Sequence, residues 1–151
     1  MSLLRTKYSK KLTDRSIAER ISKSTATELL NGLRNKDFTY TQVTLVLSLR
    51  ALKIGQQLNC TTEEFFDQAI EYAEQLDEDS SDHSDLLLKG IPISLKDQIN
   101  QRGADSSMGV ANRNFKTIWE DGLIVRLLRQ QGAFPGFVRT ATIQAMMLHK
   151  K

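Results

Sequence analysis

Cysteine and histidine are scarce in this chain of 151 residues, which has one cysteine and two histidines. The single cysteine, Cys60, excludes an internal disulfide and a zinc finger. A catalytic cysteine needs a histidine partner, but His83 falls in an acidic stretch and His149 lies at the extreme C-terminus. Because a free cysteine usually packs as a small hydrophobe, Cys60 is predicted to be a structural thiol. No metal or cofactor site is expected.

Lys96 directly follows the apolar run Ile91 to Leu95, which is typical of a short buried strand. A lysine accepts a proton only when it is neutral, and a free lysine has a pKa of about 10.4. Burial disfavours the ammonium form, so a strand that carries the side chain into a core favours a base. The residue pattern alone favours an ordinary exposed lysine, since lysine is rarely buried.

Ser94 precedes Lys96 by two residues, and side chains two positions apart on a strand point to the same face. The spacing therefore allows a Ser–Lys pair. A serine nucleophile also needs donors that stabilise an oxyanion, which makes this pair the weaker hypothesis.

Helices are predicted in the first half of the chain, at 24–33, 41–58 and 63–76. Each follows a capping box, in which two side chains satisfy free backbone N–H groups of the first turn. The third helix also has apolar residues at three- and four-residue steps and an acidic opposite face. The capping pairs are Thr25 with Glu28, Thr39 with Gln42, and Thr61 with Glu64.

The second half has an α/β pattern. A strand is predicted at 90–95, with Pro92 at its start or on an edge strand, and a long loop at 100–116. A second strand is predicted at 137–139. Since a helix separates the two strands, they are expected to form a parallel pair joined by a right-handed crossover. Parallel strands are normally buried within a larger sheet, so more of the sheet is expected beyond Lys151.

The crossover helix is predicted to begin near Asp121, a favourable N-cap, and to stop at Gly132. Its apolar stripe comprises Ile124, Leu127 and Leu128. This stripe is expected to face the core.

Charge is distributed unevenly along the chain, although the net charge is only +3. Residues 1–23 hold seven basic and two acidic side chains, whereas residues 71–85 hold seven acidic and no basic ones. The basic segment could indicate a nucleic-acid arm, but no RNA-binding motif accompanies it. Solvated charged faces and no nucleic-acid partner are predicted. Because no apolar stretch reaches eighteen residues, no transmembrane segment is expected. Because no signal peptide is recognisable, cytoplasmic residence is expected.

Several segments resemble the amidase-signature family in order and spacing. The upstream half is similar in particular to the branch that contains the fatty-acid amide hydrolases. The family segments are G-I-P-I-S-L-K-D at 90–97, D-S-S-M-G at 105–109, E-D-G-L-I-V-R-L-L-R-Q-Q-G-A at 120–133, and V-R-T with Q-A-M-M within 138–147. The branch segments are G-L-R-N-K-D-F-T at 32–39, L-R-A-L-K-I-G at 49–55 and N-C-T-T-E-E-F-F at 59–66.

The resemblance implies hydrolysis of a small-molecule amide by a Ser–Ser–Lys mechanism without a cofactor, with Lys96 as the base. The family's Gly- and Ser-rich segment, which supplies both serines, does not occur here. Ser106 and Ser107 match a structural loop of the family and are not substitutes. The serines are therefore expected from a continuation or a separate chain. The alternative is an inactive truncated homologue, or a non-enzymatic interaction fragment that uses the acidic helix face.

The resemblance also implies an α/β fold, with N-terminal helices followed by the first strands of a mixed, helix-covered sheet. A basic segment at 1–23 is expected to precede the amidase portion at 24–151. That portion divides into a helical part at 24–78, an acidic loop at 79–85 and an α/β part at 86–151. An unfinished sheet would leave Lys96 wet and expose apolar surface, which favours self-association.

Two departures from the family pattern lie near the C-terminus. Gly136 reads as an extra residue, and Ala141-Thr142-Ile143 replaces a stretch that usually contains asparagine and proline. Both are interpreted as relaxed constraint in this region.

Overall fold

Five α-helices and three strands make up the part of the chain that the computed structural model describes, residues 14–80 and 85–140. The strands form one mixed sheet in the order β1–β3–β2, with β1 antiparallel and β2 parallel to β3. This confirms the predicted α/β arrangement. The elements are α1 (Arg15–Lys23), α2 (Ala26–Arg34), α3 (Tyr40–Leu58), β1 (Thr61–Glu64), α4 (Phe66–Glu78), β2 (Pro92–Lys96), a 3-10 turn (Ala111–Arg113), α5 (Leu123–Gln130) and β3 (Phe134–Thr140).

Two of the three predicted capping boxes are confirmed, at the N-termini of α2 and α3. The third is wrong, because Thr61–Glu64 forms strand β1 and α4 begins only at Phe66, without a side-chain cap. Thr61 and Glu64 do approach each other, with 3.5 Å between Oγ1 and Oε1. Pairing of this segment with β3 decides its conformation, so a tertiary contact overrides the local signal.

Helix α3 is anchored at its N-terminus by the neighbouring helix. The Asp77 carboxylate near the end of α4 accepts hydrogen bonds from the backbone N–H groups of Tyr40, at 2.7 Å, and Thr41, at 2.9 Å. A carboxylate in this position satisfies free N–H groups and complements the helix dipole. The acidic end of α4 therefore has a structural role.

The core has two apolar clusters, one among the N-terminal helices and one between α3, α4 and the sheet. Helix α1, which lies within the predicted basic segment, contributes the fully buried Ile21 to the first cluster. The second cluster covers one face of the sheet. Its buried members are Leu52, Phe66, Ala69, Phe137 and Val138.

Strand β2 begins at Pro92 as predicted, and its parallel pairing with β3 is confirmed. Strand β3 is longer than predicted and contains a bulge, in which three residues, 136–138, lie opposite Ser94 alone. Gly136 has φ of 77°, and a Cβ there would overlap the side-chain amide of Gln101. The extra glycine is therefore part of the sheet's geometry, and the interpretation of relaxed constraint at Gly136 is wrong.

Helix α5 ends at Gln130, and the predicted stop, Gly132, follows the C-cap Gln131 with a φ of 79°. Its N-cap, however, is Gly122 rather than Asp121. The Asp121 carboxylate instead accepts hydrogen bonds from the backbone N–H of Arg102 and from Nε of Arg129.

The predicted core stripe of α5 is also wrong. Val125 is fully buried, whereas Ile124 and Leu127 are 50% and 47% exposed and Leu128 is only partly buried. Helix α5 connects the parallel strands β2 and β3, and this connection sets which of its faces packs on β3. Within residues 14–80 and 85–140, no helix has the length and apolar character that crossing a membrane requires.

Candidate functional site

Lys96 is the last residue of β2 and pairs with Thr140, the last residue of β3. Both parallel strands therefore end at the same edge of the sheet, which is where open α/β sheets commonly bind ligands. Leu95 is buried and Lys96 is exposed, in keeping with the alternation of side chains along a strand. The exposure of Lys96 agrees with the expectation for an unfinished sheet.

Ser94, two residues before Lys96, is also exposed. It lines a groove of about 390 Å³ between α3 and the sheet. The groove walls are otherwise largely apolar, and they include Leu47, Ala51, Ile54, Pro92, Phe137 and Val138. A larger groove between α2, α3 and α4 contains none of the predicted site residues.

Asp97, directly after Lys96, is only 3% exposed and carries a well-satisfied carboxylate. It accepts hydrogen bonds from the backbone N–H of Ser107 at 3.2 Å, from Ser107 Oγ at 3.0 Å, and from the backbone N–H of Met108 at 2.6 Å. Ser106 next to them is buried. This agrees with the expectation that Ser106 and Ser107 belong to a structural loop.

The backbone around Lys96 is held on both sides. The Asp97 N–H donates to the Thr140 carbonyl at 3.0 Å, and the Lys96 carbonyl accepts from the Ile99 N–H at 2.9 Å. The Asp97 carbonyl accepts from Nη2 of Arg139 on the neighbouring strand at 2.6 Å. The direction in which the Lys96 side chain leaves the sheet is therefore set by a fixed backbone.

Arg139 is fully buried and binds the segment that follows Lys96. Besides the Asp97 carbonyl, Nη2 donates to the Asp105 carbonyl at 2.9 Å. Nη1 donates to the Ile99 carbonyl at 3.1 Å and to Gln101 Oε1 at 3.2 Å. The planar guanidinium thus joins four positions of segment 97–105 to the sheet.

The counter-charge closest to Arg139 is Glu63, its cross-strand neighbour on β1, with 3.2 Å between Nε and Oε2. The angle of this approach does not make a hydrogen bond, so the pair is a charge contact. Burial raises the pKa of Glu63, although the backbone N–H of Asp105 and the charge of Arg139 oppose that rise. Burial likewise lowers the pKa of Arg139, and the three nearby carboxylates oppose this. Desolvation therefore outweighs attraction in this pair.

Sequence reasoning did not identify Arg139 and Asp97 as the centres of this arrangement. In the sequence, Asp97 and Arg139 are members of family segments, and Arg139 also falls in a predicted strand. The available signal was a charged residue directly after Phe137 and Val138 in a strand that pairs on both sides, since such strands are buried on both faces.

Cys60 is half-buried after α3, and its N–H donates to the Gly55 carbonyl. Among the described residues, no group of three His, Cys, Asp or Glu side chains comes together that could hold a metal ion. His83, His149 and the stretch 141–143 lie outside the described residues.

Comparison with known proteins identifies relatives of most of the chain. A family model described as Amidase matches residues 42–150. A probable amidase of Saccharomyces cerevisiae is 39% identical over 136 residues, which are 87% of this chain and 24% of that protein. An acetamidase of Emericella nidulans is 35% identical over 131 residues, which are 85% of this chain and 24% of that protein.

A solved structure of a fatty acid amide hydrolase superposes with a TM-score of 0.80 at 29% identity, and the match covers 95% of this chain and 25% of that one. This chain thus spans about a quarter of the length of the relatives that it matches. The family segments around Lys96 and Arg139 all fall within the region that the family model covers. On these grounds, the chain belongs to the amidase family and carries part of its fold.

Proposed function

We propose that this chain forms the N-terminal quarter of an amidase that hydrolyses carbon–nitrogen bonds by a Ser–Ser–Lys mechanism, with Lys96 as the base. A serine supplied by a downstream segment would attack the amide carbonyl, and a second serine would pass its proton to Lys96. The segment would belong to a continuation or to another chain.

The observation that carries this proposal is the setting of Lys96. Lys96 lies at the carboxyl end of a parallel strand. The next residue, Asp97, is held by the buried side chain of Arg139 on β3 and by backbone N–H groups of the loop at 105–109. A base must be held in position before a substrate arrives, because correct orientation supplies much of an enzyme's rate. The family match supports the same role.

The test supplies the missing downstream segment from a relative. A chimera would join residues 1–140 of this chain to the downstream three quarters of the Saccharomyces cerevisiae probable amidase. It should hydrolyse an acyl-anilide, whereas the 151-residue chain alone should not. Lys96→Ala should reduce the chimera's kcat by about 10³-fold or more, since removing one member of a group that acts as a unit removes most of its catalysis. Lys89→Ala is the matched control and should keep the rate. A folded chimera without activity, or one that keeps its activity in Lys96→Ala, contradicts the proposal.

The substrate class belongs to the same proposal: a fatty-acid amide whose chain enters the groove lined by Ser94. The support is the apolar lining of this groove and the likeness to a fatty acid amide hydrolase. In the chimera, Ile54→Trp should narrow the groove and lower kcat/KM for a long-chain amide more than for acetamide. Lys53→Trp, on the same helix but not in the groove lining, is the control. If Ile54→Trp lowers kcat/KM equally for the long-chain amide and for acetamide, the groove does not bind the acyl chain.

The competing hypothesis is a non-catalytic fragment. It is favoured by the engagement of Ser107 with Asp97 and by the burial of Ser106, which occupy both serines in structural roles. This reading also includes self-association through apolar surface, because α5 exposes Leu123, Ile124 and Leu127. Cytoplasmic residence stays a prediction, which cell fractionation would check.

A further inference from the structure

The peptide units that flank Asp97 are unusually constrained for a segment at the end of a sheet. The N–H and carbonyl of Asp97 both bind strand β3, through the Thr140 carbonyl and the Arg139 guanidinium. Its carboxylate binds the opposite loop through Ser107 and Met108. We call Asp97, Arg139 and Ser107 the clamp. Arg139 and Ser107 both bind Asp97, the residue next to Lys96.

We propose that the clamp is a positioning device for Lys96, in which Arg139 and Ser107 act through Asp97 to aim the lysine amine at its proton donor. This inference rests on the proposed function of Lys96 as a base. The clamp residues themselves do not touch the reacting atoms. They fix the backbone from which the Lys96 side chain extends.

The geometry separates this role from simple core packing. An apolar residue could fill the site of Arg139, but only a planar group with several donors can reach the Asp97, Ile99 and Asp105 carbonyls together. Burying a charge also costs stability unless it is well paired, so burial of Arg139 is a poor way to stabilise a sheet. The arrangement is better suited to holding one backbone conformation.

The first experiment uses the 151-residue chain and does not depend on catalysis. Hydrogen exchange of the Asp97 and Met108 amides should quicken in Ser107→Ala by about tenfold, because a hydrogen bond of the clamp is lost. Ser80→Ala changes an exposed serine outside the clamp and should leave these rates unchanged. Equal rates in Ser107→Ala and wild type would overturn the clamp.

The second experiment measures kcat and KM separately in the chimera. Arg139→Lys keeps the charge but not the planar set of donors, and it should lower kcat by about 10- to 100-fold at unchanged KM, since a misplacement of about 1 Å can cost about 100-fold. Ser107→Ala should lower kcat by a smaller factor. Arg126→Lys, on the exposed face of α5, is the control. Should Arg139→Lys fail to fold, Ser107→Ala carries the test.

The outcomes separate the two claims. If Lys96→Ala abolishes activity while Ser107→Ala and a folded Arg139→Lys keep kcat within twofold of the chimera, the positioning role is overturned and the base assignment stands. A rise in KM that accounts for the whole loss also overturns it, because the clamp would then act on binding. If Lys96→Ala keeps activity, both claims fail.

Discussion

The clamp at the end of β2 and the outer face of α5 differ in which side chains they bury. The clamp buries a guanidinium and a carboxylate and gives most of their polar atoms hydrogen-bond partners among the described residues. Helix α5 instead leaves Leu123, Ile124 and Leu127 between 47% and 65% exposed. The charged groups of the clamp find their partners among the described residues, whereas no described residue covers the apolar face of α5.

This difference indicates which parts of the fold find all their partners within the described residues. The hydrogen bonds of the clamp need only segments between Asp97 and Thr140, all of which are described. An apolar helix face needs an opposing layer. In relatives about four times as long, such a layer can come from sequence that has no counterpart here.

The largest stability effect should come from removing the Arg139 charge. Arg139→Met in the 151-residue chain leaves four oxygen acceptors and the Glu63 carboxylate without their partner, which should cost about 3–5 kcal/mol. The free energy of unfolding in urea measures this. Arg126→Met is the matched control, and an exposed site should change by less than about 0.5 kcal/mol. If both variants lose the same small amount, the clamp contributes no more than a surface contact.

A smaller effect, on association, should come from the face of α5. Leu123→Gln with Leu127→Gln should reduce self-association of the 151-residue chain, because exposed apolar patches drive it. Sedimentation velocity at several concentrations measures this. The monomer's free energy of unfolding should change little, whereas Val125→Gln should lower it because Val125 is fully buried. If the double variant self-associates as strongly as wild type, the face of α5 is not the surface through which the chain associates.

The smallest effect concerns pH and Glu63. Burial raises the pKa of Glu63 above its ordinary value of 4.5, so folding favours the protonated form. That contribution to stability is full below pH 4.5 and is lost as the pH rises through the higher pKa of the folded state. Wild type should therefore lose stability relative to Glu63→Gln as the pH rises.

The prediction is checked by measuring the free energy of unfolding in urea for wild type and Glu63→Gln at a series of pH values from 4.5 upward. Glu64→Gln is the control, because Glu64 is the exposed neighbour on the same strand. A difference between wild type and Glu63→Gln that stays constant with pH, or one that grows in favour of wild type, would mean that attraction to Arg139 outweighs burial.

The sequence predicts well those features that depend on local rules. The capping boxes of α2 and α3, the start of β2 at Pro92 and the stop of α5 at Gly132 all follow from backbone chemistry within a few residues. The parallel pairing of β2 with β3 follows from the order of the elements.

The errors occur where distant contacts decide the structure. Thr61–Glu64 has a helix-starting pattern but forms β1, because β3 offers it an edge to pair with. The packing face of α5 depends on its position over β3. The role of Arg139 could not be read locally, since its four hydrogen-bond acceptors lie 34 to 42 residues away along the chain.

The most direct test of the account is whether Lys96 accepts a proton. The pH–rate profile of the chimera should be measured with lysine and with Lys96→Arg side by side. With lysine, the rate should rise with pH, because only the uncharged amine can act as a base. Lys96→Arg should be inactive at every pH, since guanidinium does not give up its proton. Near-normal rates with arginine would show that residue 96 is not the base.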